Sequence, residues 1–231
     1  MSFSNFNNEI ARLVIFQRIE LAPPLLKKIR KFFGRYLFTN FFTKLFLNKN
    51  KINNAYYELM LQEYIFLDNL IDLNNKNILS IGSGMCGLEL IIDKLNYGNH
   101  FSIIEKNYIS KKIKYGWDDK NLEAYNNLNI LKKFINDNKT KSIFTIYNFD
   151  KDTLPKNSFD KIISLYSLDY HYDFNLYKDY FKEICTNQTE IIFDTIRPEY
   201  FKSIFRYVDV ISEHLNTIHS SKRIICKEFI L

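Results

Sequence analysis

Three of the chain's six glycines fall within six consecutive residues, and this cluster limits the fold more than any other sequence feature. The pattern is Gly82-x-Gly84-x-x-Gly87, after the short apolar run 78–81 and before the amphipathic run 88–95. A strand, a tight turn and a helix in that order suit glycine, because glycine accepts positive φ and lets a ligand approach the backbone closely. The unpaired N–H groups at the start of the helix favour an anionic group of that ligand.

From residue 77 onward, short apolar runs alternate with amphipathic runs. This alternation predicts a parallel sheet with right-handed crossovers. We predict strands at residues 78–81, 101–105, 143–147, 161–165 and 191–194, with helices at 88–95, 122–135 and 176–184. Residues 208–212 and 223–229 are strand-like with no helix between them, which fits an antiparallel hairpin at the edge of the sheet.

The first 75 residues carry helical patterns instead. An apolar stripe from Ile10 to Leu21 predicts one helix, and Pro23-Pro24 ends it. Further helices are predicted at 25–33, 36–47 and 56–70, with an Asn-rich loop at 48–54. We therefore predict an N-terminal helical extension or cap, residues 1–75, and an α/β domain, residues 76–231.

An acidic residue follows the glycine cluster at the spacing expected for a ribose-binding carboxylate. Glu105 ends the second predicted strand, eighteen residues after Gly87, where a carboxylate can accept both ribose hydroxyls of an adenosine. Together the two features predict an adenosine-containing ligand. The alternative is a tight turn that only packs a helix on the sheet, and the pair does not separate S-adenosylmethionine from a nicotinamide dinucleotide.

A downstream segment makes that distinction. Residues 149–164, with Phe149-Asp150, Leu154-Pro155 and Phe159-Asp160, resemble the stretch between the third and fourth strands of class I S-adenosylmethionine-dependent methyltransferases. The resemblance covers about residues 77–231. It implies an α/β fold with a doubly wound, seven-stranded, mostly parallel sheet whose last strand is antiparallel, and S-adenosylmethionine as cofactor.

The resemblance also implies roles for individual residues. The glycine loop and Glu105 would hold the cofactor, with Asp150 at the adenine amino group and Asp160 as a structural residue. One departure is Ser80, which stands where the family often has Asp. The predicted cofactor contacts are Gly82, Ser83, Gly84, Gly87, Glu105, Phe149, Asp150 and Tyr166.

A dehydrogenase fits less well. A short-chain dehydrogenase needs a Tyr-x-x-x-Lys pair well downstream, whereas the obvious match, Tyr108 with Lys112, directly follows the second strand. We therefore favour methyl transfer over hydride transfer.

The segment after the fourth strand should face the reacting end of the ligand. It offers Asp169 and His171 as general bases, and a histidine exchanges protons near neutral pH. The alternatives are a solvated Asp169 and a His171 that only packs, with Asp173 as a helix N-cap. The Asn/Asp-Pro-Pro-Tyr/Phe signature of amino methyltransferases is missing, so we favour O-methylation of a small polar acceptor such as a sugar or surface-glycan precursor.

The segment between Glu105 and the third strand is longer than one crossover helix requires. It includes Tyr115 and the chain's one tryptophan, Trp117. We predict a lid that covers the acceptor and excludes water. The alternative is a surface insertion with Trp117 packed inward.

The chain's positive charge is local. Between Glu20 and Glu58 there are eight Lys or Arg residues and no acidic residue, against +6 for the whole chain. This stretch is either the solvated face of a cap, a surface in residues 25–47 for an anionic membrane, or a grip on RNA. An RNA methyltransferase and a catalytically silent cofactor-binding partner therefore remain alternatives, although no RNA-binding module is recognisable.

The remaining features predict a cytoplasmic enzyme, with a peripheral position on the inner face of the membrane as a variant. Neither a membrane span nor a signal peptide is expected. The three cysteines, at 86, 185 and 226, lack metal-ligand spacing, so no metal is predicted. The sequence leaves the acceptor atom and the oligomeric state open.

Overall fold

The computed structural model describes residues 1–45, 47–110, 124–214 and 220–230. Its seven-stranded sheet has the order β3-β2-β1-β4-β5-β7-β6. Strands β1 to β5 are parallel, and β7 is antiparallel to both β5 and β6. The predicted doubly wound, mostly parallel sheet with an antiparallel last strand is confirmed. The strands are β1 (Asn77–Ile81), β2 (His100–Glu105), β3 (Ile143–Asn148), β4 (Lys161–Ser164), β5 (Glu190–Thr195), β6 (Phe205–His214) and β7 (Ser221–Phe229).

The strand order reverses next to β1. From β1 the chain first adds β2 and β3 on one side, and then β4 and β5 on the other. Such a switch leaves a crevice at the carboxyl ends of the two central strands, where ligands of open parallel sheets bind. Here β1 and β4 are those strands, so the glycine loop that follows β1 lies at the crevice.

Helices cover both faces of the sheet. On one face α1 (Asn8–Gln17), α4 (Lys49–Asp68), α5 (Gly87–Leu95) and α6 (Leu128–Asp137) share a buried core with residues of β1 and β2. On the other face α7 (Lys178–Ile184) and α8 (Pro198–Phe201) pack with β4, β5 and β7. Neighbouring residues of β1 point to opposite cores, Ile78 to the first and Leu79 to the second, as the period of a strand requires.

The predicted helical extension is confirmed, with altered boundaries. It contains α1, a 3-10 turn (Ile19–Leu21), α2 (Pro24–Leu37), a π-helix (Phe38–Phe42), α3 (Thr43–Leu45) and α4. The predicted break at Gly34 is wrong, because α2 continues to Leu37; one glycine costs only about 1 kcal/mol inside a helix. These helices share the core of α5 and α6. The division between residues 75 and 76 stays a prediction.

The predicted loop at 48–54 is wrong, because α4 begins at Lys49. Asn48 caps the helix by accepting a hydrogen bond from the N–H of Lys51. The buried Asn53 then exchanges two hydrogen bonds with the backbone of Phe3, which fixes this first turn against the N-terminal segment. Tertiary contacts thus turn an Asn-rich stretch into a helix.

The predicted helix at 122–135 starts later, at Leu128. Asn127 caps it by accepting hydrogen bonds from the N–H groups of Asn129 and Ile130. Before the cap, Tyr125 forms an antiparallel bridge with Ile109. Residues 122 and 123 lie outside the described residues. No helix in the described ranges is long and apolar enough to cross a bilayer.

Candidate functional site

The glycine loop connects β1 to α5 with no room for larger residues. Gly82 and Gly84 adopt positive φ, +66° and +63°, which disfavours every residue with a side chain. A Cβ on Gly82 would collide with the side chain of Ser167, and one on Gly84 with the amide of Gln17. The backbone of the loop is therefore closely packed between the turn after β4 and the end of α1.

Glu105 meets this loop at the carboxyl edge of the sheet. Its Oε1 accepts a hydrogen bond from the N–H of Gly84 at 2.5 Å. Asn126 Nδ2 donates to the carbonyl of the same glycine at 2.7 Å. Burial raises the pKa of Glu105 to about 7, while the Gly84 N–H and the Asn126 side chain pull that pKa down. The structure thus brings the predicted ribose carboxylate to the predicted loop.

The predicted adenine contacts lie beside Glu105, because β2 and β3 are paired in parallel. The N–H of Phe149 donates to the carbonyl of Glu105 at 2.9 Å. Asp150 accepts a 2.6 Å hydrogen bond from Lys106 Nζ, which also lies 5.1 Å from the centre of the Phe149 ring. Lys106 was not predicted, although its place directly after the ribose acid was a usable signal.

The helical extension covers the loop with polar groups that the sequence analysis missed. Gln17, at the end of α1, donates from Nε2 to the carbonyl of Tyr125 at 2.7 Å and lies against Gly84. The hydroxyl of Tyr56, on α4, accepts from the N–H of Gly87 at 3.0 Å. No local motif marks these contacts, because they join elements far apart in sequence.

The turn after β4 contains two residues with positive φ, Tyr166 at 57° and Asp169 at 55°. The N–H of Tyr166 donates to Asp194 Oδ2 at 2.9 Å. The Tyr166 ring lies under two guanidinium groups, with Arg18 at 4.8 Å and Arg223 at 5.5 Å from its centre. Tyr166 therefore lies between Arg18 at the end of α1 and Arg223 of β7.

Asp169 is buried at the base of that turn. Both of its oxygens are engaged by Arg197, and Thr195 Oγ1 donates to Oδ2 at 2.5 Å. Arg197 Nη2 approaches Oδ1 at 2.5 Å, and the carboxylate is 0% exposed. The alternative of a solvated Asp169 is therefore wrong, because neither carboxylate oxygen is open to solvent.

His171 lies on the exposed side of the same turn. Its backbone N–H donates to the carbonyl of Ser167 at 2.8 Å, and its ring meets the ring of Tyr170 edge-on with centres 5.0 Å apart. Asp173 is the predicted N-cap, and it accepts from the N–H of Asn175 at the start of a 3-10 turn (Phe174–Leu176). Tyr115 and Trp117, the predicted lid residues, lie outside the described residues.

A second buried carboxyl lies just behind the glycine loop. Glu89, in the first turn of α5, is 3% exposed, and burial raises its pKa to about 7. Its Oε2 has no hydrogen-bond partner among the described residues, and neither has Ser80 Oγ. Ser80 is the residue that departs from the family pattern. The Ser80 hydroxyl lies close enough to the Glu89 carboxyl to lower its pKa, so the two groups face each other in the core at longer than ideal hydrogen-bond geometry.

The basic stretch presents apolar groups to solvent. Leu25 and Phe32 on α2 are 62% and 82% exposed, next to exposed Lys27 and Lys28. This surface is compatible with either a cap or a membrane contact. Contact of residues 25–47 with an anionic membrane stays a prediction, which flotation with anionic vesicles tests. The described residues include no group of three or more His, Cys, Asp or Glu placed to hold a metal.

The order of the strands, with β7 inserted antiparallel between β5 and β6, defines the class I methyltransferase fold. The chain has that fold.

No family model and no curated protein matches the sequence. Solved structures similar to the chain include a 16S rRNA methyltransferase from T. thermophilus in complex with AdoMet and guanosine (12% identity, 74% of this chain, 42% of that one, TM-score 0.48). Coclaurine N-methyltransferase bound to N-methylheliamine and SAH is similar over 84% of this chain and 48% of that one (12% identity, TM-score 0.39). Human N-acetylserotonin methyltransferase in complex with SAM is similar over 95% and 70% (14% identity, TM-score 0.44). The chain thus spans less than half of the first two proteins.

Proposed function

We propose that the chain is a methyltransferase that uses S-adenosylmethionine and methylates a hydroxyl group of a small polar acceptor. One observation carries the proposal: Glu105 and the N–H of Gly84 meet at 2.5 Å where the strand order reverses. An adenosine ligand needs this pair of groups, a carboxylate for its ribose and a glycine backbone that it can approach.

The residues around this point fit the cofactor. Gly84 lacks a Cβ, and the Gln17 amide lies against it; Gln17 and Asn126 thus place amide groups suited to an amino-acid end beside the loop. Phe149 offers an aromatic ring and Asp150 a carboxylate for a base. When bound, S-adenosylmethionine would supply an activated methyl group.

The chain's own task is to bind, orient and keep water out. Glu105 is suited to hold the ribose hydroxyls, and its carboxylate must be ionised to accept from both. The extension covers the loop through Gln17 and Tyr56, which removes solvent from one side of the site. Positioning of this kind can lower a barrier by roughly 7–11 kcal/mol, which is the main contribution a methyl transfer requires.

A hydroxyl acceptor also needs a base, and we assign it to His171. Asp169 is unsuited to this task, because Arg197 and Thr195 engage its carboxylate inside the protein. We instead give Asp169 a positioning role, in which it fixes the turn that carries His171. A sugar or surface-glycan precursor remains the proposed acceptor class.

Calorimetry with S-adenosylhomocysteine, S-adenosylmethionine and NADH tests the cofactor assignment. We expect micromolar binding of the first two and no heat with NADH. Gly84→Ala should weaken binding at least about tenfold, which corresponds to about 1.4 kcal/mol, because alanine is strained at φ +63° and its Cβ displaces the Gln17 amide. The matched control is Gly98→Ala, at a positive-φ turn between α5 and β2, which should leave affinity unchanged. Heat with NADH alone would overturn the proposal.

The basic stretch of the extension favours one further candidate, an RNA acceptor. Strongly salt-dependent binding of tRNA would support it. Binding of S-adenosylmethionine that never yields S-adenosylhomocysteine with any acceptor would instead indicate a silent cofactor-binding partner.

A further inference from the structure

A polar pocket, separate from the glycine loop, lies beside Tyr166. It has a volume of about 250 Å³ and lies between α4 and the strands β6 and β7. Its lining includes Gln62, Glu63, Phe66, Tyr166, Ser212 and Arg223. We propose that it binds the acceptor, and that the acceptor is an uncharged molecule rich in hydroxyl groups, such as a hexose. That this ligand is the methyl acceptor rests on the proposed function. The class of ligand follows from the lining of the pocket alone.

The pocket is at the right edge of the sheet. Arg223 pairs in register with Asp194, and Asp194 is near the end of β5. Because β7 runs against β5, the start of β7 reaches the carboxyl ends of the parallel strands, where ligands bind. Ser212 of β6 is in turn the partner of Arg223.

The pocket also lies within reach of the cofactor loop. Along α4, Tyr56 contacts Gly87 of the loop and Glu63 contacts Arg223 of the pocket. These two α4 residues are seven positions apart, about two helical turns or 10 Å. Arg18, directly after α1, also links the two places, since its neighbour Gln17 lies against Gly84 while its own guanidinium lies over the Tyr166 ring.

The charged groups of the pocket are already paired. Arg223 is 1% exposed, and its guanidinium is shared by two carboxylates, Asp194 at 3.0 Å and Glu63. Arg18 pairs with the more exposed Glu20 at 2.7 Å and lies 3.8 Å from Glu63, so both cations at the pocket are already engaged by carboxylates. An anionic or cationic ligand would have to separate one of these pairs, and breaking a buried pair is costly. An uncharged ligand leaves them intact.

The remaining lining groups suit hydroxyls. The Gln62 amide and the Ser212 hydroxyl can each donate and accept, and the Glu63 oxygens that Arg223 engages each keep a further lone pair that can accept. Phe66 offers an apolar ring for the C–H face of a sugar. Such a set recognises a polyol by several directional hydrogen bonds, each contributing about 1 kcal/mol.

Saturation-transfer NMR with three matched hexoses tests the inference. D-glucose, D-glucuronate and D-glucosamine are titrated into the full chain with and without saturating S-adenosylhomocysteine. We expect glucose to bind in the millimolar range, and the two charged hexoses to bind at least about tenfold more weakly, since tenfold corresponds to about 1.4 kcal/mol.

Two substitutions locate the binding. Ser212→Ala and Gln62→Leu should each weaken glucose binding about fivefold, the loss of one hydrogen bond. Ser203→Ala and Gln188→Leu, at exposed positions away from the pocket, are the matched controls and should change nothing. Circular dichroism and the Kd for S-adenosylhomocysteine confirm that each variant is folded.

The inference is overturned if S-adenosylhomocysteine binds and no hexose does, or if a charged hexose binds as tightly as glucose. It is also overturned if neither pocket substitution changes the affinity. Should glucose bind by these criteria while S-adenosylhomocysteine does not, the pocket assignment stands and the proposed function fails.

Discussion

Replacement of the buried Glu89 by glutamine should change how the stability of the protein depends on pH. The carboxyl group ordinarily titrates with a pKa of 4.5, and burial raises its pKa in the fold to about 7. Folding therefore favours the protonated form. The contribution of this group to stability is fully present below pH 4.5 and is lost as the pH rises through 7.

The magnitude follows from the two pKa values. They differ by about 2.5 units, and each unit corresponds to about 1.4 kcal/mol, so ionisation costs the fold about 3 kcal/mol by pH 8. Glutamine has the same shape and no charge to desolvate. Relative to the natural protein, Glu89→Gln should therefore gain about 2–3 kcal/mol between pH 5 and pH 8.

Urea unfolding at pH 5 and pH 8, without ligand, measures this gain. Glu105 titrates in the same range and is present in both proteins, so its contribution cancels apart from the repulsion by the Glu89 charge, which is the smallest of the causes that shift the pKa of Glu105. The control is Glu183→Gln, a surface carboxylate that is 58% exposed, which should gain less than about 0.5 kcal/mol across the same range. A difference between natural protein and Glu89→Gln that stays constant from pH 5 to pH 8 would refute the reasoning.

Three further predictions concern the site. Affinity for S-adenosylhomocysteine, measured by calorimetry, should fall about tenfold from pH 8 to pH 6, because Glu105 with a pKa of about 7 becomes protonated. Glu105→Gln should bind weakly at both pH values. An affinity of the natural protein that does not change with pH would contradict the ribose role of Glu105. Asp169→Asn should lower the free energy of unfolding by about 3 kcal/mol in urea, since it leaves the partly buried Arg197 without its main partner. Full stability with lost turnover would instead restore Asp169 as the base. Trp117→Ala should weaken glucose binding in NMR much more than it weakens S-adenosylhomocysteine binding, and equal effects would remove the lid hypothesis.

The central sheet was predictable because its signals are local. Glycine at two positive-φ positions, four or five apolar residues per strand and an acid at the end of β2 each depend on residues close in sequence. Boundaries failed where distant contacts decide them. Asn53 is typical of a loop by its residue type alone. In the fold its side chain accepts a hydrogen bond from the N–H of Phe3, fifty positions earlier, and donates one to the carbonyl of Phe3.

The candidate site divides in the same way. The sequence named Glu105 and the glycine loop, and the structure brings them within a hydrogen bond of each other. It also named Asp169, but exposure decides what an aspartate can do, and exposure depends on Arg197, twenty-eight residues downstream. Gln17, Tyr56 and Arg223 belong to no motif, since they approach the site only through the packing of α1, α4 and β7.

Helix α4 touches the cofactor loop at one turn and the polar pocket two turns later. The two places therefore share one helix as a wall, and a helix that moves would couple their occupancy. If a ligand at one end shifts the helix, the affinity for the ligand at the other end changes by some factor, and thermodynamic linkage requires the second ligand to change the affinity for the first by that same factor. Product release could then be ordered by the helix, with departure from one end loosening the grip at the other.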